Sequence, residues 1–450
     1  MRRKLCDWAA RRGLDHSVDD AGNLLLTKAG SQGREAAAPV ALQAHLDMVC
    51  QANSGIGHDF GKDPILPKIE EGWLLAEDTT LGADNGIGVA LALAALEQED
   101  LVHPPLEVLL TVDEEAGMSG AQGLPPGLLR ATRMLNLDSE EWGEFTLGCA
   151  GGCDVTASDH YEGETAPSGW LFHKITLSGL RGGHSGIDIH LGRGNANKLL
   201  VRLLRGWEKA EAIRLAAFAG GTARNALPRE AWAIVALPAA AEREAKQRLE
   251  AFRALIAEEL ADREAGILVQ IEAAEPSPLL PEAAQRRLLA ALHAAPHGVR
   301  RMSGSVPGVV ETSNNLGIVT IGGGAFSANL MVRSLRDSAT RMLAEEIESL
   351  FLLAGCRVET GGAYPGWTPN PDSPLLAQCQ QVYQREFGAP AATQVIHAGL
   401  ECGIIGAKYP GLDIISFGPT IKGAHAPGEK VEIASVGRCW QLLKAILAAL

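Results

Sequence analysis

Four apolar runs in this chain lead into ionisable residues, and that pattern restricts the fold more than any other feature. Pro39 to Asp47 ends in His45-Leu-Asp47, and Pro105 to Val112 runs straight into Asp113-Glu114-Glu115. Arg133 to Asp138 closes on a carboxylate, and Leu412 to Phe417 is soon followed by His425. Short apolar runs of this kind read as buried strands. Helical stretches alternate with them, which predicts an α/β sheet, and sites in such sheets lie beyond the carboxyl ends of the strands. His45, Glu114, Glu115, Asp138 and His425 all fall in that position.

A fifth acid belongs with them. Asp84 sits in the glycine-rich turn Thr80 to Gly88 and opens the apolar run Val89 to Leu96, which reads as a buried helix. An unpaired carboxylate there is very costly, so it needs a cationic partner. The nearest basic residues, Lys68 and His103, are distant in sequence. Metal is therefore the partner to test.

At 450 residues the chain exceeds one compact core, and two domains are expected. Helices and strands between residues 172 and 362 lack a ligand-type cluster, and read as an α+β domain inserted into the α/β domain. The expected division is 1–171 and 363–450 for the catalytic domain and 172–362 for the insertion. A formal charge of −14 argues against nucleic acid and anionic membrane as partners. No run reaches transmembrane length, and no signal-peptide pattern is present. The eight cysteines include no C-x-x-C pair, which suits buried thiols in a cytoplasmic protein.

A two-metal hydrolytic site requires a carboxylate shared by both ions, further His and carboxylate ligands, and a bridging water as nucleophile. His45, Asp84, Glu115, Asp138 and His425 can supply the ligands. Glu114 can take the proton from the water, and Asp47 can orient His45 through a hydrogen bond. Each residue also has a plain structural alternative. A strand-end histidine can be a satisfied core residue, Asp-Glu-Glu a solvated turn, and Asp138 a helix cap.

The motifs around these residues resemble those of the M20 metallopeptidases: His45-Leu-Asp47, Leu81-Gly-Ala-Asp84-Asn-Gly, Thr111-Val-Asp-Glu114-Glu115-Ala-Gly, Asn136-Leu-Asp138 and Gly423-Ala-His425-Ala-Pro. Within that family, Leu177 to Asn197, His58 to Pro64, Thr222 to Glu230 and Ile396 to Gly403 are most similar to the aminoacyl-histidine dipeptidases. The resemblance covers nearly the whole chain. It implies a zinc-peptidase-like α/β catalytic domain with an inserted α+β lid domain, and two divalent ions, zinc in the first instance with manganese or cobalt as alternatives. One ion would be held by His45, Asp84 and Asp138, the other by Asp84, Glu115 and His425, with Glu114 as general base.

In the lid, the resemblance gives His184 the role of stabilising the tetrahedral oxyanion. Asn225, Arg333 and Gly399 would grip the dipeptide and its carboxylate, with Arg336 the rival to Arg333. A donor on a separate domain implies closure over substrate. One departure is Ala426, where relatives often carry Ser. The implied activity is hydrolysis of small dipeptides, preferentially Xaa-His, with carnosine a candidate, by a cytoplasmic homodimer. A broader M20 aminopeptidase, an N-acyl-amino-acid amidohydrolase, and a non-catalytic peptide- or metal-binding protein are the alternatives. Ile321 to Gly324 lacks the Lys-Ser/Thr of a phosphate loop, and Ser185 lacks a nucleophile elbow.

Overall fold

The computed structural model describes residues 1–210 and 213–450, and it divides into two compact units. The first comprises residues 1–149, 367–396 and 400–450; the second comprises 150–366 and 397–399.

The first unit is built on an eight-stranded sheet. At its centre Leu106–Thr111, Val40–His45, Arg133–Asn136 and Asp413–Ser416 lie side by side, all parallel. Their register aligns His45 with Thr111 and Gln43 with Asn136. The residues that follow each strand therefore emerge along one edge. The sheet is buried on both faces, as a parallel sheet must be. Val40, Leu42, Ala44, Val108, Leu110 and Leu135 pack on one side under the helices Ala83–Glu97, Pro374–Phe387 and Ile433–Ala449. Ala41, Leu109 and Met134 face the other side, under Ser119–Gly123 and Glu401–Lys408.

The helix after Asp84 differs from expectation in one respect. It is apolar nearly throughout, yet Gly86 and Ala90 are exposed. Its outer face is lined by residues too small to penalise exposure heavily.

A small four-stranded sheet completes this unit, in the order Ile421–Lys422, Lys430–Glu432, Trp73–Ala76, Pro67–Glu70. It sets the turn that carries His425 beside the segment leading into Asp84.

The second unit is a nine-stranded sheet whose pairs are all antiparallel. Apolar residues of the helices Ala196–Ala210, Glu242–Glu259, Glu282–Ala294 and Asp337–Leu353 share one core with it. This unit begins at Ala150 rather than near residue 172. The reason is the strand Gly151–His160, which pairs with Ala325–Ser334 on one side and Arg357–Tyr364 on the other. Among the described residues no helix is long and apolar enough to cross a membrane.

Candidate metal centre

The aligned strand ends bring His45, Glu114, Glu115 and Asp138 together, and Asp84 and His425 join them. His45 Nε2 lies 3.2 Å from Asp84 Oδ1 and 3.2 Å from Asp138 Oδ1. His425 Nε2 lies 3.1 Å from Asp84 Oδ2 and 3.2 Å from Glu115 Oε2. Asp84 thus turns one oxygen to each histidine. His45–Asp84–Asp138 and Asp84–Glu115–His425 are two trios whose donor atoms could each hold an ion, with Asp84 common to both. His45 is buried, whereas the His425 side chain is 54% exposed and marks the open side.

Each side chain is held by local structure. His45 Nδ1 is 3.1 Å from the carbonyl oxygen of Asp47, so Nδ1–H donates there and Nε2 is left for the cluster. The Asp47 carboxylate itself is 3.6 Å from His45 Nδ1. It accepts instead from the amides of Glu114 and Glu115, each at 3.1 Å. The Asp47 main-chain oxygen is thus the hydrogen-bond acceptor for His45 Nδ1, while its carboxylate stands beside that nitrogen as an ion-pair partner and holds the amides of Glu114 and Glu115. His425 sits at φ 69°, a left-handed conformation in the turn between two short strands. Asn85 Nδ2 donates to Leu137 O at 2.9 Å, tying the Asp84 turn to the residue before Asp138.

The electrostatics are those of a site short of positive charge. Burial pushes the Glu114 carboxyl up to about 9, with Asp138, Glu401 and Glu115 adding to the rise against His45. Burial likewise raises Asp138 and takes Glu140 to about 7. Burial disfavours protonation of His45, yet Asp138, Asp47 and Asp84 raise it far above the usual imidazole range. Asp84 and Glu115 hold His425 up to about 10. Burial opposes ionisation of Asp84, but the two histidines outweigh it and keep this carboxyl low.

Divalent ions fit this donor set. Asp138 Oδ1 and Glu115 Oε1 are buried and accept no hydrogen bond among the described residues. Asp138 Oδ1 meets His45 Nε2 as an ion-pair contact. Buried carboxylate oxygens without a donor, gathered beside two histidine nitrogens, are what a cation satisfies, and nitrogen-plus-carboxylate sets suit zinc, manganese or cobalt.

His184, Asn225, Arg333 and Gly399 all belong to the second unit. His184 Nδ1 accepts from the amides of Gly186 at 3.1 Å and Ile187 at 3.0 Å. That forces the remaining proton onto Nε2. Burial and Arg333 lower its pKa to about 4, so the ring is a neutral N–H donor. Arg333 is buried, and its guanidinium meets hydroxyls: Nη1 donates to Tyr364 Oη at 2.8 Å and Nε to Ser185 Oγ at 3.3 Å. Arg336 is exposed and lies 3.5 Å from Glu311. Asn225 is exposed, and its carbonyl accepts from the Ser185 amide at 2.8 Å. Gly399 is part of the three-residue segment 397–399 that joins this unit, in which Ala398 O accepts from Ala150 N at 3.1 Å.

Two acids of the first unit escaped the sequence reading. Glu401 is buried, accepts from Thr111 Oγ1 at 2.5 Å and Gln43 Nε2 at 2.8 Å, and is raised to about 8 by burial. It opens an apolar helical run as Asp84 does, so the same reasoning was available for it. Glu429 is buried too, with both oxygens on main-chain amides of residues 81–84. An acid in a Gly/Pro-rich turn carries no sequence signal of such a role.

Comparison with known proteins agrees with the fold and with the motifs. Residues 41–449 match the profile of peptidase family M20/M25/M40. The chain is 46% identical over 441 residues to the cytosol non-specific dipeptidase of Escherichia coli (strain K12), covering 98% of this chain and 91% of that protein. The crystal structure of aminoacylhistidine dipeptidase from Vibrio alginolyticus superposes with a TM-score of 0.92 at 44% identity, covering 100% of this chain and 92% of that one. An aminopeptidase PepT from Bacillus cereus shares the fold at a TM-score of 0.56 and 15% identity, over 99% and 91% of the two chains.

Proposed function

This chain belongs to peptidase family M20/M25/M40 and is a hydrolase of peptide bonds, and from that premise we propose that it is a two-metal dipeptidase acting preferentially on Xaa-His dipeptides. The observation that carries the reading is the pair of donor trios sharing Asp84, with Glu114 beside them. His45, Asp84 and Asp138 would hold one divalent ion and Asp84, Glu115 and His425 the other, zinc first and manganese or cobalt next. When bound, such ions supply Lewis acidity that polarises the scissile carbonyl and acidifies water.

Glu114 receives the proton of the attacking water and passes it to the leaving amine. Its raised pKa supports this role, since added positive charge lowers a carboxyl from about 9 toward the range of a working base. Asp47 keeps Glu114 in place through its amide. His184, a neutral Nε2–H donor, is assigned to the oxygen on which negative charge develops. Arg333 is assigned to the free carboxylate of the dipeptide, for which a guanidinium offers two parallel donors. Asn225 and Gly399 are assigned to orienting the peptide. The reading includes a cytoplasmic homodimer, which a monomer mass by light scattering would remove.

The test is hydrolysis of β-alanyl-histidine, glycyl-histidine, glycyl-leucine, triglycine and N-acetyl-histidine by chelator-stripped enzyme restored with zinc, manganese or cobalt. Cleavage confined to the histidine dipeptides is expected. Equal rates on glycyl-leucine broaden the enzyme to a general dipeptidase. Turnover of triglycine or N-acetyl-histidine moves it to an aminopeptidase or amidohydrolase. Glu114→Gln should cost about 10²- to 10⁴-fold in kcat with metal retained; an unchanged rate sinks the mechanism.

A further inference from the structure

The helix that begins at Ala83 lacks a cap of its own. Gly82 stands at the N-cap with no side chain to offer, and Asp84 and Asn85 have non-helical backbone angles (φ −85°, ψ 110° and φ −109°, ψ 33°). The amides at this end must find an acceptor elsewhere. Glu429 provides it. Its Oε2 accepts from Leu81 N at 2.8 Å and Gly82 N at 3.0 Å, and its Oε1 from Ala83 N at 2.7 Å and Asp84 N at 3.2 Å. Glu429 is 2% exposed. Because a residue more than 340 positions away takes these amides, the Asp84 carboxylate is spared from capping and faces His45 and His425 instead.

Glu429 also lies four residues after His425 in the same turn, where its amide donates to Ala426 O at 3.1 Å. One carboxylate therefore braces the segment carrying Asp84 against the segment carrying His425. Resting on the two-metal reading above, we propose that Glu429 is a positioning residue that sets these two ligands in register and so controls affinity for the ion held by Asp84, Glu115 and His425. Both of its oxygens are used twice, so Gln cannot replace it: an amide NH₂ would confront two of the four N–H groups. The negative charge adds to the hold, since hydrogen bonds to an ionised acceptor are roughly twice as strong as neutral ones.

A buried carboxylate on main-chain amides can also serve stability alone, and the first unit contains one for comparison. Glu107 is equally buried and accepts from Arg130 N at 2.9 Å and Ala131 N at 3.0 Å. It stands near the start of Leu106–Thr111, at the opposite end of that strand from Glu114 and Glu115.

The experiment titrates zinc alone into chelator-stripped full-length protein, against a competing chromophoric chelator. Wild type, Glu429→Gln, Glu429→Asp and Glu107→Gln are compared, with thermal unfolding in parallel. Glu429→Gln should weaken one of two zinc sites by about 10- to 100-fold and regain much of its kcat in excess zinc. Glu107→Gln should lower the melting temperature while binding both ions like wild type. Glu429→Asp keeps the charge but is one methylene short, and it should show a smaller loss at the same site; it carries the test if the Gln variant fails to fold. Wild-type affinity for both ions in a folded Glu429 variant, or an equal loss in Glu107→Gln, overturns the proposal. Wild-type protein that binds no zinc overturns the two-metal reading itself and this inference with it.

Discussion

Asp47 Oδ1 accepts a hydrogen bond from the main-chain N–H of Glu114 at 3.1 Å, across 67 residues of sequence. Its other oxygen takes the neighbouring amide of Glu115 at the same distance. One carboxylate thus fixes the proposed base and a proposed metal ligand by their backbone. Asp47→Asn presents an NH₂ to one of those N–H groups and loosens both. The expected result is a drop of about 10- to 100-fold in kcat, the usual range for a residue supporting a metal ligand. KM should stay at the wild-type value when zinc is supplied in excess. Steady-state kinetics with metal analysis of the same preparations decides it, and an unaltered kcat would remove Asp47 from the machinery.

Arg333 and Arg336 are three residues apart and have different surroundings. Arg333 is buried against Tyr364 and Ser185, both hydroxyl donors or acceptors rather than acids. Arg336 is exposed and already faces Glu311. A guanidinium whose hydrogen bonds among the described residues go to hydroxyls rather than to an acid retains the capacity to take a carboxylate, so Arg333→Lys should raise KM for dipeptides about 10-fold or more, in line with the loss of a bidentate charged contact. Dipeptide amides, which lack the carboxylate, should feel the change far less. Arg336→Ala should leave both substrates unaffected. Equal effects of the two variants on the free acid would reject the assignment.

How far these features can be read from the sequence depends on range. The parallel strands are legible because burial on both faces writes itself as unbroken apolar runs, and Val40–His45 and Leu106–Thr111 are found within two residues of their bounds. His45, Glu114 and Asp138 are legible for the same reason, each ending or following such a run. What is not legible is the work of long-range contacts. The strand Gly151–His160 has an ordinary composition, and only its partners at 325–334 and 357–364 assign it to the second sheet. Glu429 looks like any acid in a turn until the residue 81–84 amides are brought to it. The hydrogen bond from His45 Nδ1 to the Asp47 carbonyl is made to the main chain, which no side-chain pattern encodes.

His184 offers a prediction in a spectroscopic observable. Two main-chain amides point at its Nδ1, so the neutral ring carries its proton on Nε2. Burial and Arg333 take its pKa to about 4, which keeps it neutral at pH 7. Long-range ¹H–¹⁵N spectra of histidine-labelled protein should show one ring with this tautomer, unchanged as pH falls from 8 to 5 and lost in His184→Gln. An imidazolium signal for that ring at pH 6 would contradict the geometry. Removing the donor should also reduce kcat by about 10²- to 10³-fold, as for other donors to a developing oxyanion.

Glu401 links the buried polar layer beneath the candidate site to the stability of the first unit. Burial raises its carboxyl from 4.5 to about 8, and the hydrogen bonds from Thr111 and Gln43 only partly offset that rise. The folded state therefore holds a proton that the unfolded chain gives up near pH 4.5. Stability tied to this group is complete below that pH. It is lost as pH rises toward 8, because the unfolded state then binds fewer protons than the folded one. The slope for one proton is about 1.4 kcal/mol per pH unit at most. Glu401→Gln removes the titration while keeping an acceptor for both hydrogen bonds at the position of Oε2. In chelator-stripped protein the variant should gain on wild type steadily between pH 5 and 8 in urea midpoints, and differ little at pH 4.5. A difference that is flat across this range would mean that Glu401 ionises normally, and that its Oε1, which accepts no hydrogen bond, is compensated in some other way. With zinc bound the gain should shrink, since nearby positive charge favours the ionised carboxylate and brings its folded pKa back toward the unfolded value.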